Sequence, residues 1–189
     1  MHDFERRGEE LYCEDVALQT LADQYGTPLY VYSKATLERH YRVFDDAFSD
    51  FQHLICFAVK ANTSHWILHL LAEMGSGADI VSGGELFRAL KAGIPAERIV
   101  YSGVGKSMLE MDQALDAGIL MFNIESFQEL EVLNTVARKK GVQARISLRV
   151  NPDVDPKTHP YISTGLRENK FGIDLDISES MYAQAKEMS

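Results

Sequence analysis

The sequence predicts an α/β fold built on a parallel sheet with helices outside it. Three observations carry that prediction. Strand-like apolar runs recur at residues 54–59, 78–81, 98–101, 120–124 and 144–150, with helical patterns between them. The repeat of one strand and one helix is short, ~20–25 residues, as in βαβ units. The runs are nearly all apolar rather than alternating, which is how strands covered on both faces read. A doubly wound sheet and a (β/α)8 barrel both fit this pattern. Five or six strands complete an open sheet but only part of a barrel, which typically takes ~250 residues.

Each element has a local reason. Residues 1–28 form a lead-in, with a short strand expected at Glu10–Cys13 and a short helix over 16–25, punctuated by Gly26-Thr-Pro28. The aromatic and β-branched run at 29–32 predicts a strand that opens the second region, 29–189. Ser33 can cap the next helix, on which Leu37, Tyr41, Phe44 and Phe48 share a face. Three later helices open with Ser followed three residues on by Glu, at Ser82/Glu85, Ser107/Glu110 and Ser126/Glu129, the signature of a capping box. Gly75, Gly93, Gly118 and Gly141 stand where helices should stop.

Composition narrows the function classes. The 189 residues carry a net charge of −9 and no basic patch with interleaved aromatics, which argues against nucleic acid and acidic membrane surfaces as partners. No apolar stretch approaches the ~20 residues that span a bilayer, and the charged start lacks a signal core. Two cysteines, Cys13 and Cys56, form no Cys-x-x-Cys pair. Reduced thiols and the absence of a leader fit a cytoplasmic protein.

In such folds functional groups gather at the carboxyl ends of the strands. Those ends deliver Lys60-Ala-Asn62, then Asp79 and Ser82-Gly-Gly-Glu85, then Ser102-Gly-Val-Gly-Lys106, then Asn123 and Glu125, then Arg149-Val-Asn-Pro152. An ammonium at the end of an apolar strand is partly desolvated, which favours its neutral, nucleophilic form. Lys60 is therefore the leading candidate, against the alternative of a strand-end lysine turned into solvent. Asp79 and Arg149 on nearby strand ends could flank it and pair with each other; a structural ion pair at the rim is an equal reading. Glu85 either closes a capping box or, behind two glycines, approaches a ligand. Ser102-Gly-Val-Gly-Lys-Ser107 imitates a phosphate-binding loop, but position 100 is valine where that motif requires glycine, so nucleoside triphosphate chemistry is rejected. His65 and His69 share a helix face with no third ligand, His159 has no chemical partner, and no metal site is expected.

Phe57-Ala-Val-Lys-Ala-Asn62 resembles the cofactor-lysine motif of the alanine-racemase-like, fold-type III pyridoxal-phosphate enzymes. Gly26-Thr-Pro-Leu-Tyr-Val-Tyr32, Gly77-Ala-Asp-Ile-Val-Ser-Gly-Gly-Glu85, Ser102-Gly-Val-Gly-Lys106 and Asn123-Ile-Glu-Ser126 follow in that family's order. Arg149-Val-Asn-Pro-Asp-Val-Asp-Pro156, Thr158-His-Pro-Tyr-Ile-Ser-Thr-Gly165 and Asn169-Lys-Phe-Gly172 are similar to the diaminopimelate decarboxylase family in particular, rather than to ornithine or arginine decarboxylases or alanine racemases.

The resemblance implies a partial (β/α)8 barrel of about five to six strands. It implies pyridoxal 5′-phosphate bound through Lys60, with Asp79, Glu85 and Arg149 around that lysine and the cofactor ring. The implied reaction takes an amino-acid substrate, meso-2,6-diaminopimelate, to L-lysine and carbon dioxide, in a complete enzyme that is a homodimer. Another amino-acid decarboxylase, a racemase or a non-catalytic cofactor-binding protein would share the same motifs. The family's His-Ile-Gly-Ser histidine, phosphate loop, acidic partner of the pyridine nitrogen and carboxy-terminal β domain have no counterpart in the sequence. The expectation is therefore an amino-terminal fragment, inactive by itself, whose lead-in 1–28 associates with that β domain in the complete enzyme.

Overall fold

The computed structural model describes residues 2–151 and 172–188. They fall into two compact units that divide after His53, later than the boundary expected at residue 28.

In the first unit, β1 (Phe4–Arg7), β2 (Glu10–Cys13) and β3 (Val16–Ala17) form an antiparallel meander. Helices α1 (Leu18–Tyr25) and α2 (Lys34–Ala47) follow. Ser33 caps α2 as expected, accepting from the Thr36 N–H at 3.0 Å. The Glu14 carboxylate accepts from the Ser33 hydroxyl and the Ala35 N–H, and Thr36 donates to Asp3, so the meander is tied to the first turn of α2. Two expectations fail here. Val16 and Ala17 pair with β2 instead of opening the helix, because the turn before them brings their backbone alongside Tyr12 and Cys13. Residues 29–32 are not a strand: among the described residues no neighbouring strand supplies the ladder their composition favours.

The second unit alternates strand and helix. In order it contains β4 (Cys56–Ala58), α3 (His65–Glu73), β5 (Gly77–Ile80), α4 (Gly83–Lys91), β6 (Ile99–Tyr101), α5 (Met108–Ala117), β7 (Met121–Ile124), α6 (Phe127–Lys140), β8 (Ile146–Leu148), β9 (Val150–Asn151), β10 (Ile173–Asp174) and α7 (Leu175–Glu187). The sheet order is β4-β5-β6-β7-β8, every pair parallel. β9 continues the β8 run and pairs in parallel with β10. A doubly wound sheet reverses its strand order at a switch point; this one never does. Ala78, Ile80, Ile99, Tyr101, Phe122 and Ile124 from the strands share one buried cluster with Leu68, Leu86, Met111, Leu133 and Met181 from the helices. All five helices thus cover one face, and the architecture is an arc of a (β/α)8 barrel.

The three Ser/Glu signals all work as helix starts, with one variation. Ser107 and Glu110 form the full reciprocal box. At Ser82 and Ser126 the serine caps the helix, but Glu85 and Glu129 reach one residue further back, to the N–H groups of Val81 and Glu125. α5 and α6 end on left-handed Gly118 and Gly141.

Candidate functional site

The face of the sheet away from the helices carries the polar strand ends. Register places Ala58 beside Asp79, and Asn123 beside Ser147. Their neighbours in sequence, Ala78, Ile80, Phe122, Ile124 and Leu148, turn into the helix-side core. The runs therefore alternate where the chemistry sits. They are not uniformly apolar as the sequence suggested.

Lys60 lies in a single 3-10 turn, 59–61, just past β4. Val59 beneath it is fully buried, which anchors the turn. The lysine itself is exposed, so the desolvation expected of it is absent in these residues. Its ammonium has no hydrogen bond or ion pair among the described residues, which leaves it uncommitted.

Asp79, at the end of β5, accepts a hydrogen bond from the Ser102 hydroxyl at 2.5 Å. The Asn123 side-chain amide donates to that same Ser102 oxygen at 2.9 Å. Ser102 is itself fixed to the strand end by its N–H, which donates to the Ile80 carbonyl at 2.8 Å. Three adjacent strand ends are thereby joined in one line toward the Asp79 carboxylate.

Arg149 does not pair with Asp79. Its guanidinium donates to both oxygens of Glu125, at 3.0 and 3.2 Å. The reason is proximity along the sheet. Arg149 follows β8 and donates its N–H to the Ile124 carbonyl, one residue before Glu125. Glu125 is buried, and a buried carboxylate needs partners. It takes Arg149 and the Gly103 N–H, at 3.0 Å. Glu85 accepts from the Val81 N–H, 2.8 Å away, one residue before the cap, so it braces the start of α4 without closing the reciprocal box expected there.

The phosphate-loop imitation is a buried lock. The Lys106 side chain is fully buried, and its ammonium meets Glu129 at 2.5 Å and the carbonyls of Gly103 and Asn123 at 2.7 and 2.8 Å. With three oxygens around it, Lys106 has no donor to offer a phosphate. Gly103 is held from both sides, its N–H by Glu125 and its carbonyl by Lys106. Its φ of +94° and a would-be Cβ at 3.3 Å from Val81 explain why glycine stands there. Behind the loop, burial pushes the Tyr101 hydroxyl well above its ordinary pKa, and the Glu110 charge adds to it. Glu110 faces that hydroxyl without completing a well-formed hydrogen bond. Glu110 itself is held below the usual carboxylate range by the N–H groups of Gly83 and Ser107.

Strand-end position marked Ser102, Lys106, Asn123 and Glu125 in the sequence, but nothing there indicated that they partner one another. His65 and His69 stack at 6.1 Å, and His69 hydrogen-bonds the Ala92 carbonyl at 3.0 Å. His159 and residues 152–171, which include most of the motif following Asn151, lie outside the described residues. A cavity of about 460 Å³ lies on the helix side between α6, α7 and β8, lined by Leu133, Ala137, Ile146 and Met188 among others. It is remote from the strand ends that carry the polar groups.

The donor set at the β4 and β5 ends suits an aldehyde cofactor: a free primary amine to bind a carbonyl, and a fixed carboxylate on the neighbouring strand end. Comparisons with known proteins agree. The model of the family "Pyridoxal-dependent decarboxylase, pyridoxal binding domain" matches residues 34–189. A diaminopimelate decarboxylase of Pseudomonas aeruginosa is 54% identical over 188 residues, all of this chain and 45% of the relative. One of Vibrio cholerae is 58% identical over 176 residues, 93% of this chain and 42% of the relative. The crystal structure of diaminopimelate decarboxylase from Helicobacter pylori complexed with L-lysine superposes with a TM-score of 0.88 at 49% identity, covering 91% of this chain and 44% of that one. The chain thus spans under half the length of the relatives it matches. Over residues 34–189, well over half of its length, the chain belongs to the pyridoxal-dependent decarboxylases and carries their pyridoxal-binding domain.

Proposed function

We propose that the whole protein is a diaminopimelate decarboxylase, converting meso-2,6-diaminopimelate to L-lysine and carbon dioxide in lysine biosynthesis. The single observation that carries this reading is an exposed, uncommitted Lys60 at the end of β4, in a chain more than half identical to decarboxylases of that name. Pyridoxal phosphate, when bound, supplies the electron sink for the carbanion left by decarboxylation. Lys60 would hold the cofactor through its amine, which the 3-10 turn leaves exposed to solvent. Asp79, fixed by Ser102, sets a negative charge on the neighbouring strand end, where it would support positive charge at the lysine nitrogen when the cofactor is held. Arg149, oriented by Glu125, brings a guanidinium to the same rim for the cofactor or its ring substituents. Glu85 contributes to the cofactor face by fixing the backbone at Val81.

Residues that complete cofactor and substrate binding belong, in this reading, to parts of the protein other than these 189 residues, and the segment alone is inactive. The complete enzyme is a cytoplasmic homodimer, with residues 1–28 set against its β domain. Among the described residues no helix is long and apolar enough to cross a membrane, which fits that reading. The test is Lys60→Ala in the full-length protein. Release of lysine and carbon dioxide from meso-2,6-diaminopimelate should vanish. Turnover that persists in this variant would sink the assignment.

A further inference from the structure

We infer that Ser102, backed by Asn123, is a positioning residue for Asp79, holding its carboxylate so that one oxygen is tied toward β6 and the other is left for the cation at Lys60. The inference rests on the proposed role of Lys60 and goes beyond it, because neither Ser102 nor Asn123 touches the lysine.

The geometry has a direction. The Asn123 amide donates to the Ser102 oxygen, 2.9 Å away. That oxygen therefore acts as an acceptor on the β7 side. The one hydroxyl proton of Ser102 is left for Asp79, on Oδ1 at 2.5 Å. Ser102 cannot drift, since its N–H is bonded to Ile80 at 2.8 Å and Gly103 after it is clamped by Glu125 and Lys106. Asp79 Oδ2 makes no hydrogen bond among the described residues. On the β4 side, Asp79 is register partner to Ala58, one 3-10 turn from Lys60.

The other titratable groups nearby leave that oxygen to the lysine. Cys56 on β4 is kept as the thiol by burial, with the Asp79 charge adding to the effect. Glu85 at the start of α4 is tied to Val81. Glu125 and Arg149 on the β7 and β8 ends are tied to each other. A carboxylate that can rotate spreads its charge over several directions; one held at Oδ1 aims Oδ2 consistently.

The test uses full-length protein loaded with pyridoxal phosphate, following the visible absorbance of the lysine-bound cofactor as pH is raised. Ser102→Ala should move the midpoint of that titration down by about half to one pH unit, because the cation loses part of its support. Asn123→Ala, which keeps the hydroxyl but frees it, should move it the same way by less. Ser102→Thr should restore the wild-type midpoint. A residue that served only to hold the fold would lower thermal stability without moving the midpoint. An unchanged or raised midpoint in folded Ser102→Ala and Asn123→Ala overturns the inference, as does a folded Ser102→Thr that stays shifted. Should Ser102→Ala fail to fold, Asn123→Ala alone decides by the same criterion. Failure of the underlying reading looks different: the visible band would survive Lys60→Ala, or would be missing from the wild type.

Discussion

The two faces of the sheet from β5 to β7 differ in what they can tolerate. On the helix side, Ile80, Ile99, Tyr101, Phe122 and Ile124 are almost completely buried and pack against α3 to α7. On the opposite side, Asp79, Ser102 and Asn123 are only partly buried and are held by directional hydrogen bonds. The same strands serve both, because successive side chains point to opposite faces. The helix side draws its stability from area removed from water, which is insensitive to detail so long as volume is kept. The other face draws its order from donors and acceptors whose partners are fixed one by one. A barrel rim therefore separates stability from chemistry by a single residue of register.

Substitutions on the two faces should expose this difference. Phe122→Ala on the helix side opens a cavity under α5 and α6 and should cost about 3–5 kcal/mol in urea unfolding. If the loss is below about 1 kcal/mol, the helix side is not the source of stability argued here. Lys106→Met tests the boundary between the faces. It leaves the Glu129 carboxylate, the Gly103 carbonyl and the Asn123 carbonyl without their common donor. Breaking a buried pair from one side costs about 3 kcal/mol or somewhat more. Because Gly103 carries the clamp on Ser102, this variant should also perturb the absorbance of bound cofactor, whereas Phe122→Ala in its folded range should not.

Smaller effects sharpen the picture. Glu110 joins two helix starts, accepting from Gly83 at 2.8 Å and Ser107 at 3.0 Å. Glu110→Gln should cost about 1–2 kcal/mol near neutral pH. The sign with pH follows from its lowered pKa. A carboxylate depressed in the folded state adds stability above its unfolded value, about 4.3, and loses it as pH falls through the folded value. The gap between wild type and Glu110→Gln should therefore close on acidification and be constant above pH 6. A gap that widens in acid would contradict the assigned partners. Tyr101→Phe should be the mildest, within about 0.5 kcal/mol and of either sign, since it removes a buried hydroxyl that completes no hydrogen bond. A large loss would mean that Glu110 does bond that hydroxyl.

Much of the arc was legible in the sequence. The five strand positions, the serines that cap α2, α4, α5 and α6, and the glycines that end the helices all rest on local chemistry, which sequence carries directly. Lys60 and Asp79 were legible as strand-end residues, and the ordered motifs pointed to the family. Other features were not. Residues 29–32 have strand composition but no ladder partner among the described residues, and β-propensity expresses itself only with one. The expected Asp79–Arg149 pair joins two strand ends whose separation along the sheet the sequence does not state. The structure sets Arg149 beside β7, where buried Glu125 claims it. Lys106 lies in a loop whose motif fails as a phosphate site at Val100, and only the structure makes it the buried centre of a loop lock.

What the sequence by itself determined is the alternation of strands and helices, where each helix starts and stops, and which side chains arrive at the strand ends. These depend on neighbours within a few positions. Tertiary structure decided the choice between a doubly wound sheet and a barrel arc, through a strand order that never reverses. It also decided which polar group meets which: Asp79 with Ser102, Glu125 with Arg149, Lys106 with Glu129. Those pairings join residues more than twenty positions apart, and they are fixed by parallel register between strands, which no local pattern encodes.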